Sequence, residues 1–341
     1  AAGGHEAGRG GEDRERIFSG SQPGHPGRVA FVFPGSGNQF EGMGLELARQ
    51  WPEVLRAQDR ENQRLAAQMG IDLFWNGPLT REVLDDHRAL ICAQVSFGTM
   101  VADLALRFGV KPTAAIGYSL GESTALFALR AWRQRDEMLD RLNRSTLFAR
   151  DLAGKPEVLR KVWMLPQGQP VEWIAGVVDR SADSVRAAIG HKKSVYLLIV
   201  NTADECVIGG DRAAVEAIVA ALGCHWFALR GVSTVHCELA RPVRKAYREL
   251  HRFDTTAPAD VEFYSCGWGR AYVPDRETAA GAIEAQALDT IDFPRVIRAA
   301  YAAGVQTFVE IGPGNSCSRM IAKILKDRPH FARSLALSGQ D

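Results

Sequence analysis

Residues 114–124 read AAIGYSLGEST, an apolar tetrapeptide running into Gly117-Tyr118-Ser119-Leu120-Gly121. Residues 114–117 predict a short strand, and the apolar spacing beyond Gly121 predicts a helix. Between them stands a G-x-S-x-G turn. Two glycines let the backbone bend sharply enough to lift the serine oxygen clear of a sheet. The amide of Leu120 then lies at a helix start, facing any oxyanion that forms beside Ser119. The same pentapeptide also suits a tight packing turn with no chemistry. Its place between strand and helix is what favours a nucleophile.

Upstream, residues 29–33 (VAFVF) form a continuous apolar strand closed by Pro34-Gly35. A strand apolar at every position is buried on both faces, as in a parallel sheet. Helical segments are expected over 40–68 and 86–108. In the second, Leu90, Ile91, Val95, Phe97, Val101, Leu104 and Phe108 recur at helical spacing. Downstream, 173–229 changes character: strand 174–178, helix 181–189, strands 195–200 and 206–208, helix 211–222 behind an aspartate cap, strand 226–229. That β-α-β-β-α-β order is the ferredoxin-like split motif. The α/β pattern returns with a strand at 307–310, Gly312-Pro313-Gly314, a helix from about Ser316 and a last strand near 332–336.

The expected fold is therefore α/β. A large α/β-hydrolase-like subdomain with a mostly parallel sheet takes 29–150 and 230–341, and a small inserted ferredoxin-like subdomain takes 170–229. Residues 1–28, rich in glycine and charge, read as a flexible linker at the start of a piece cut from a longer polypeptide.

Composition narrows the function classes. Of 341 residues 46% are apolar and 24% charged, and 41 Lys plus Arg against 40 Asp plus Glu leave a net charge of +1. A basic field for nucleic acid or an anionic membrane is absent. No apolar run approaches the roughly 20 residues of a membrane helix, and the opening residues lack the hydrophobic centre of a secretory signal. The six cysteines form no C-x-x-C pair, which speaks against zinc and a disulfide framework and for buried thiols in a reducing cytoplasm.

A serine nucleophile needs a base. Of eight histidines, His5 and His25 lie in the opening tail, His87, His191 and His251 sit among charged residues, His225 opens a strand, and His330 lies in a polar turn. His236, at the end of Val232-Ser233-Thr234-Val235, is left as the best base, with a satisfied core histidine as the rival reading. Pro34-Gly35-Ser36-Gly37-Asn38-Gln39 lacks the third glycine of a dinucleotide fingerprint, since position 40 is Phe. It suits a close-approach loop whose amides face the serine.

Taken together, strand–PGSGNQ–GMG, GYSLGES at 117–123, a loop histidine about 115 residues later and EIGPG at 310–314 resemble the acyl-CoA:acyl-carrier-protein transacylase family, which includes malonyl transacylases and the acyltransferase domains of polyketide and polyunsaturated-fatty-acid synthases. The resemblance runs collinearly over 29–337. It implies Ser119 as nucleophile, His236 as base, the backbone amides of Leu120 and Ser36 as oxyanion hole, and the carbonyl of Gln286 as the group that orients the histidine. It also implies an arginine that holds the free carboxylate of a malonyl-type substrate. Arg144 stands at that spacing, although Arg130, Arg133, Arg135, Arg141 and Arg150 share the helix and a solvated face is the alternative for any of them. A planar, permanently charged fork suits a carboxylate.

The sequence departs from the family in three places. Tyr118 replaces the usual histidine before the nucleophile, at a position that shapes the acyl pocket. Ser36 replaces the loop glutamine, leaving only its backbone role. Ser233-Thr234-Val235-His236 matches neither usual selectivity pattern, and the bulk of Val235 leans toward malonyl over methylmalonyl. These departures look most like iterative type I synthases that make polyenes, enediynes or polyunsaturated chains. The implied activity is transfer of malonyl from malonyl-CoA, through a seryl ester, to the phosphopantetheine thiol of an acyl carrier protein beside neighbouring synthase domains. No metal or permanent cofactor is implied. Two rivals stand: a serine esterase or thioester hydrolase, against which the 105 residues after His236 argue, and a catalytically silent docking domain.

Overall fold

The computed structural model describes residues 27–153 and 156–335; the expected linker, apart from residues 27 and 28, and the tail from 336 lie outside them. Strand β1 (Arg28–Phe33) explains the rest of the large sheet. Ala30 and Val32 enter the hydrophobic cluster on one face, and Phe31 and Phe33 the cluster on the other. A strand sends alternate side chains to opposite faces, so a run with no polar position can only sit in the middle of a sheet covered on both sides.

In chain order the other strands are β2 (Ala114–Gly117), β3 (Trp173–Val178), β4 (Val195–Val200), β5 (Cys206–Asp211), β6 (Trp226–Ala228), β7 (Glu262–Ser265), β8 (Arg270–Tyr272), β9 (Ile291–Asp292), β10 (Val305–Glu310) and β11 (Phe331–Ser334). The large sheet runs β11-β10-β1-β2-β7-β8. Its first five strands are mutually parallel, and β8 returns antiparallel to β7. From β1 the chain order moves outward in both directions, to β2 on one side and β10 on the other. That is the switch point where open α/β sheets leave a crevice at their carboxyl ends.

The second sheet runs β6-β3-β5-β4-β9. Its first four strands are antiparallel neighbours in the ferredoxin-like order. Helices α4 (Ala182–Ile189) and α5 (Arg212–Leu222) pack over it, each capped by the side chain preceding it, Ser181 and Asp211. The fifth strand, β9, comes from outside this unit and pairs parallel to β4, Ile199 opposite Ile291. Thr290 reinforces the junction by donating its hydroxyl to the Leu197 carbonyl, 2.7 Å.

The helices that shape the crevice are α1 (His87–Arg107), α2 (Gly121–Ala128), α3 (Arg135–Arg144), α6 (Arg276–Leu288), α7 (Phe293–Ala302) and α8 (Ser316–Ile324). Asp86 caps α1 by accepting from the Ala89 amide. By length and composition α1 could cross a membrane, contrary to the expectation of no such run, but 72% of its most apolar window is buried inside the protein. The expected helix over 40–68 is instead a chain of short helical pieces that continues to Asp85.

Candidate active site

The turn at Ser119 is as sharp as its glycines require. A side chain at Gly121 would overlap the Phe33 carbonyl of β1, and one at Gly117 would overlap the backbone of Glu122. Ser119 itself is held at φ 56°, in the left-handed region that costs a non-glycine residue energy. The Ser119 carbonyl accepts from the Glu122 amide at 3.0 Å and from Gln286 Nε2 at 3.1 Å, so two bonds offset the strain. Among the described residues the buried Gln286 Oε1 has no partner.

His236 stands opposite, also at positive φ (67°). Its Nε2 is 2.7 Å from Ser119 Oγ, and its Nδ1 is 2.5 Å from the Gln286 carbonyl. A carbonyl can only accept, so Nδ1 carries the proton and Nε2 presents its lone pair to the serine hydroxyl. Burial lowers the His236 pKa to about 4, with the Gln286 bond acting in the opposite sense. The imidazole is therefore neutral at pH 7, as a base must be. A third bond, from the His236 amide to the Ala287 carbonyl at 2.8 Å, seats the histidine on the end of α6.

The PGSGNQ loop packs directly on this elbow: a side chain at Gly35 would come within 2.8 Å of the Tyr118 ring and 3.1 Å of Ser119 Cβ. Buried Gln94 of α1 holds the loop, donating to the carbonyls of Pro34 (2.7 Å) and Gly35 (2.8 Å). Among the described residues the amides of Leu120 and Ser36 donate to no protein acceptor, and both residues line the cavity beside Ser119. Gln94 and the side chain of Gln286 are site residues that sequence reading misses, because nothing local marks a glutamine as facing a distant loop.

Two cavities meet at Ser119 and His236, sharing also Ser36, Ser233 and Val235. One is an apolar chamber roofed by α1, α3 and α6. The other is a cleft against the second sheet.

Tyr118 lines the cleft and not the chamber. Its hydroxyl donates to Asn201 Oδ1 at 2.7 Å, its ring meets Phe293 edge-on, and burial keeps the phenol protonated. Its expected place in the acyl pocket therefore holds only if the cleft is that pocket, whereas Val235 borders both spaces.

Arg144 lies outside both cavities. Its side chain is 79% exposed and pairs with Asp140, one turn back, at 3.6 Å. On α3 the chamber-facing positions are Met138 and Leu142, and a residue two beyond Leu142 is rotated about 200° from it. The helix ends at Arg144 and Ser145 is extended, so no further turn brings the guanidinium round. Spacing along the chain suggested Arg144 for the carboxylate-binding role, and the structure places its side chain on the solvent face of α3.

The described residues include no His, Cys, Asp and Glu cluster able to hold a metal. Five of the six cysteines are buried, and burial pushes the Cys266 and Cys317 thiols far above the range of a nucleophile.

Residues 30–335 match the family model for the acyl transferase domain. A polyunsaturated fatty acid synthase chain of Thraustochytrium sp. is 25% identical over 349 residues, which is 92% of this chain but only 16% of that protein. The malonyl CoA-acyl carrier protein transacylase of Bacillus subtilis is 26% identical over 87% of this chain and 90% of its own length. Among solved structures, the acyltransferase domain from the second module of the salinomycin polyketide synthase superposes with a TM-score of 0.72 at 23% identity, covering 92% of this chain and 69% of that one.

Proposed function

The chain belongs to the acyl transferase domain family, and on that premise we propose that it moves an acyl group from a coenzyme A thioester to the phosphopantetheine thiol of an acyl carrier protein, by way of an ester on Ser119. The observation that carries this reading is the line from Ser119 Oγ through His236 to the Gln286 carbonyl at the foot of an open cavity. His236 Nε2 accepts the hydroxyl proton as Ser119 Oγ attacks the thioester carbonyl. The negative charge on the carbonyl oxygen rests on the amides of Leu120 and Ser36. Collapse breaks the carbon–sulfur bond, and the coenzyme A sulfur takes the proton from His236. The carrier thiol then repeats the sequence in reverse roles: His236 accepts its proton, the sulfur attacks the seryl ester, and Ser119 leaves with the proton restored. No metal or redox group enters any step.

The setting proposed is a multidomain synthase of iterative type, in keeping with the polyunsaturated-fatty-acid synthase relative. The Bacillus relative is named for malonyl transfer, the donor that the sequence resemblance also implies. The test is intact-protein mass spectrometry after mixing with acyl-CoA thioesters, then addition of a holo carrier protein. An acyl adduct that is absent in Ser119→Ala and is discharged onto the carrier supports the reading. Discharge to water at an equal rate without the carrier would make the protein a thioester hydrolase, and no adduct with any donor would make it a silent domain.

A further inference from the structure

We propose that Gln94 is a positioning residue for the oxyanion hole: by gripping the Gly35 carbonyl it sets the plane of the Gly35–Ser36 peptide, and so aims the Ser36 amide at the oxygen that turns negative as Ser119 is acylated. The inference rests on the seryl-ester reading above. The two amides of that hole are held very differently. The Leu120 amide sits in the elbow at the start of α2, fixed by glycines packed on β1. The Ser36 amide lies in a loop between two glycines, with Gly37 at φ 96°, and a peptide flanked by glycine swings easily.

In a trans peptide the C=O and the N–H point in opposite directions, so whatever holds the Gly35 oxygen aims the Ser36 hydrogen. Two donors meet that oxygen, Gln94 Nε2 at 2.8 Å and Asn38 Nδ2 at 3.0 Å. A carbonyl oxygen has two lone pairs, and here both are taken. The second hydrogen of Gln94 Nε2 goes to the Pro34 carbonyl at 2.7 Å, and Gln94 Oε1 accepts from Gln39 Nε2 at 3.2 Å. Gln39 Oε1 in turn accepts from the Gly37 amide at 3.0 Å. The loop therefore closes on Gln94 from both sides of Ser36, and a reversed Gln94 amide would set its oxygen against two carbonyls.

Gln94 is fully buried on α1 and lines neither cavity, so it acts through the loop and not on the substrate. The peptide it holds does face the reaction, because Ser36 and Ser119 border both cavities together. The chain of bonds from Gln39 through Gln94 to the Gly35 carbonyl also polarises that peptide, which makes its N–H a stronger donor. An amide aimed before the substrate arrives needs no reorganisation as charge develops, and that is the source of an oxyanion hole's effect.

The experiment is pre-steady-state acylation of the full chain by malonyl-CoA, read as intact mass over a range of donor concentrations, with Gln94→Leu and Asn38→Ala beside the wild type. Gln94→Leu is expected to lower the limiting rate about thirtyfold, part of the roughly hundred- to thousandfold that loss of a whole oxyanion donor costs, at an unchanged half-saturating concentration. Asn38→Ala, which leaves Gln94 in place, is expected to lower it less, about fourfold. The infrared band of an isotope-labelled seryl-ester carbonyl reports the hole directly, since well-aimed amides draw it to lower frequency; it is expected to rise in both variants. Urea unfolding shows that each variant folds. A purely structural part for Gln94 would lower the urea midpoint and leave the limiting rate and the carbonyl band of the folded protein where they are, and that result overturns the proposal. So does a raised half-saturating concentration at an unchanged limiting rate. If Gln94→Leu does not fold, Asn38→Ala decides by the same two readings. Absence of any adduct in the wild type overturns the Ser119 ester as well, so the two failures are distinct.

Discussion

Glu122 lies in the first turn of α2, three residues past the nucleophile and 1% exposed. Its oxygens accept from the Cys266 amide at 3.3 Å and the Tyr272 hydroxyl at 3.4 Å, and among the described residues no cation pairs with it. Burial raises its pKa from 4.5 to about 8, while hydrogen bonds from Ser265, Cys266 and Tyr272 oppose the rise. The folded protein therefore keeps a proton that the unfolded chain gives up. The carboxyl's contribution is fully present below pH 4.5 and declines as pH rises, because the unfolded state binds fewer protons. The interval from 4.5 to about 8, at about 1.4 kcal/mol per decade, amounts to about 5 kcal/mol between its ends.

Glu122→Gln imitates the neutral acid and does not titrate. The expected result is that the stability of the variant relative to wild type grows with pH from 5 to 8, by about 1 kcal/mol or more per pH unit at the steepest part. Urea unfolding followed by tryptophan fluorescence at pH 5, 6, 7 and 8 measures it, and a constant offset between the proteins does not matter because the slope is what is read. Two curves that stay parallel across that range would refute the reasoning, since they would mean that the carboxyl has the same pKa folded and unfolded.

Acylation of Ser119 should be flat in rate from pH 8 down to about 5, because lowering the His236 pKa to about 4 keeps the base unprotonated over that span; a midpoint near 6.5 in pre-steady-state kinetics would disprove the buried, neutral imidazole. Gly121→Ala forces a methyl group into the Phe33 carbonyl and should cost about 3 kcal/mol or more, visible as a lowered urea midpoint; an unchanged midpoint would show that the elbow is not closely packed on β1. Tyr118→Phe leaves buried Asn201 without its donor and should cost about 1–3 kcal/mol of stability while acylation stays within a few-fold. Lost acylation at full stability would instead give the phenol a part in the chemistry.

What could be read from sequence is what local pattern encodes. The unbroken apolar run of β1, the Ser181 and Asp211 caps and the glycine-framed turn at Ser119 each follow from the residues within a few positions of them. Strand β7 (EFYS) is not readable that way: it is four residues long and only its place beside β2 makes it a strand. The same holds for the short β8 and β9. Arg144 shows a different limit. Distance along a chain transfers a residue to a helix, but the face it occupies depends on where that helix begins and stops, and α3 stops at Arg144 itself. Gln94 and the Gln286 amide act across 60 and 167 residues of chain, a separation that leaves no local trace.

The two-residue strand β9 has a practical consequence for anyone exchanging segments between acyl transferase domains. It closes the outer edge of β4, a hydrogen-bonding edge that would otherwise stand open to other chains. A cassette holding only β3 to β6, residues 173–228, would leave that edge uncovered and separate it from the segment that follows α6. Since α6 carries the Gln286 carbonyl and Ile291 begins only five residues later, a graft with a different β4 would pull on the same stretch that holds His236. Exchanges that keep 286–293 with the donor of the small sheet should retain both solubility and loading, and those that split them should lose the two together.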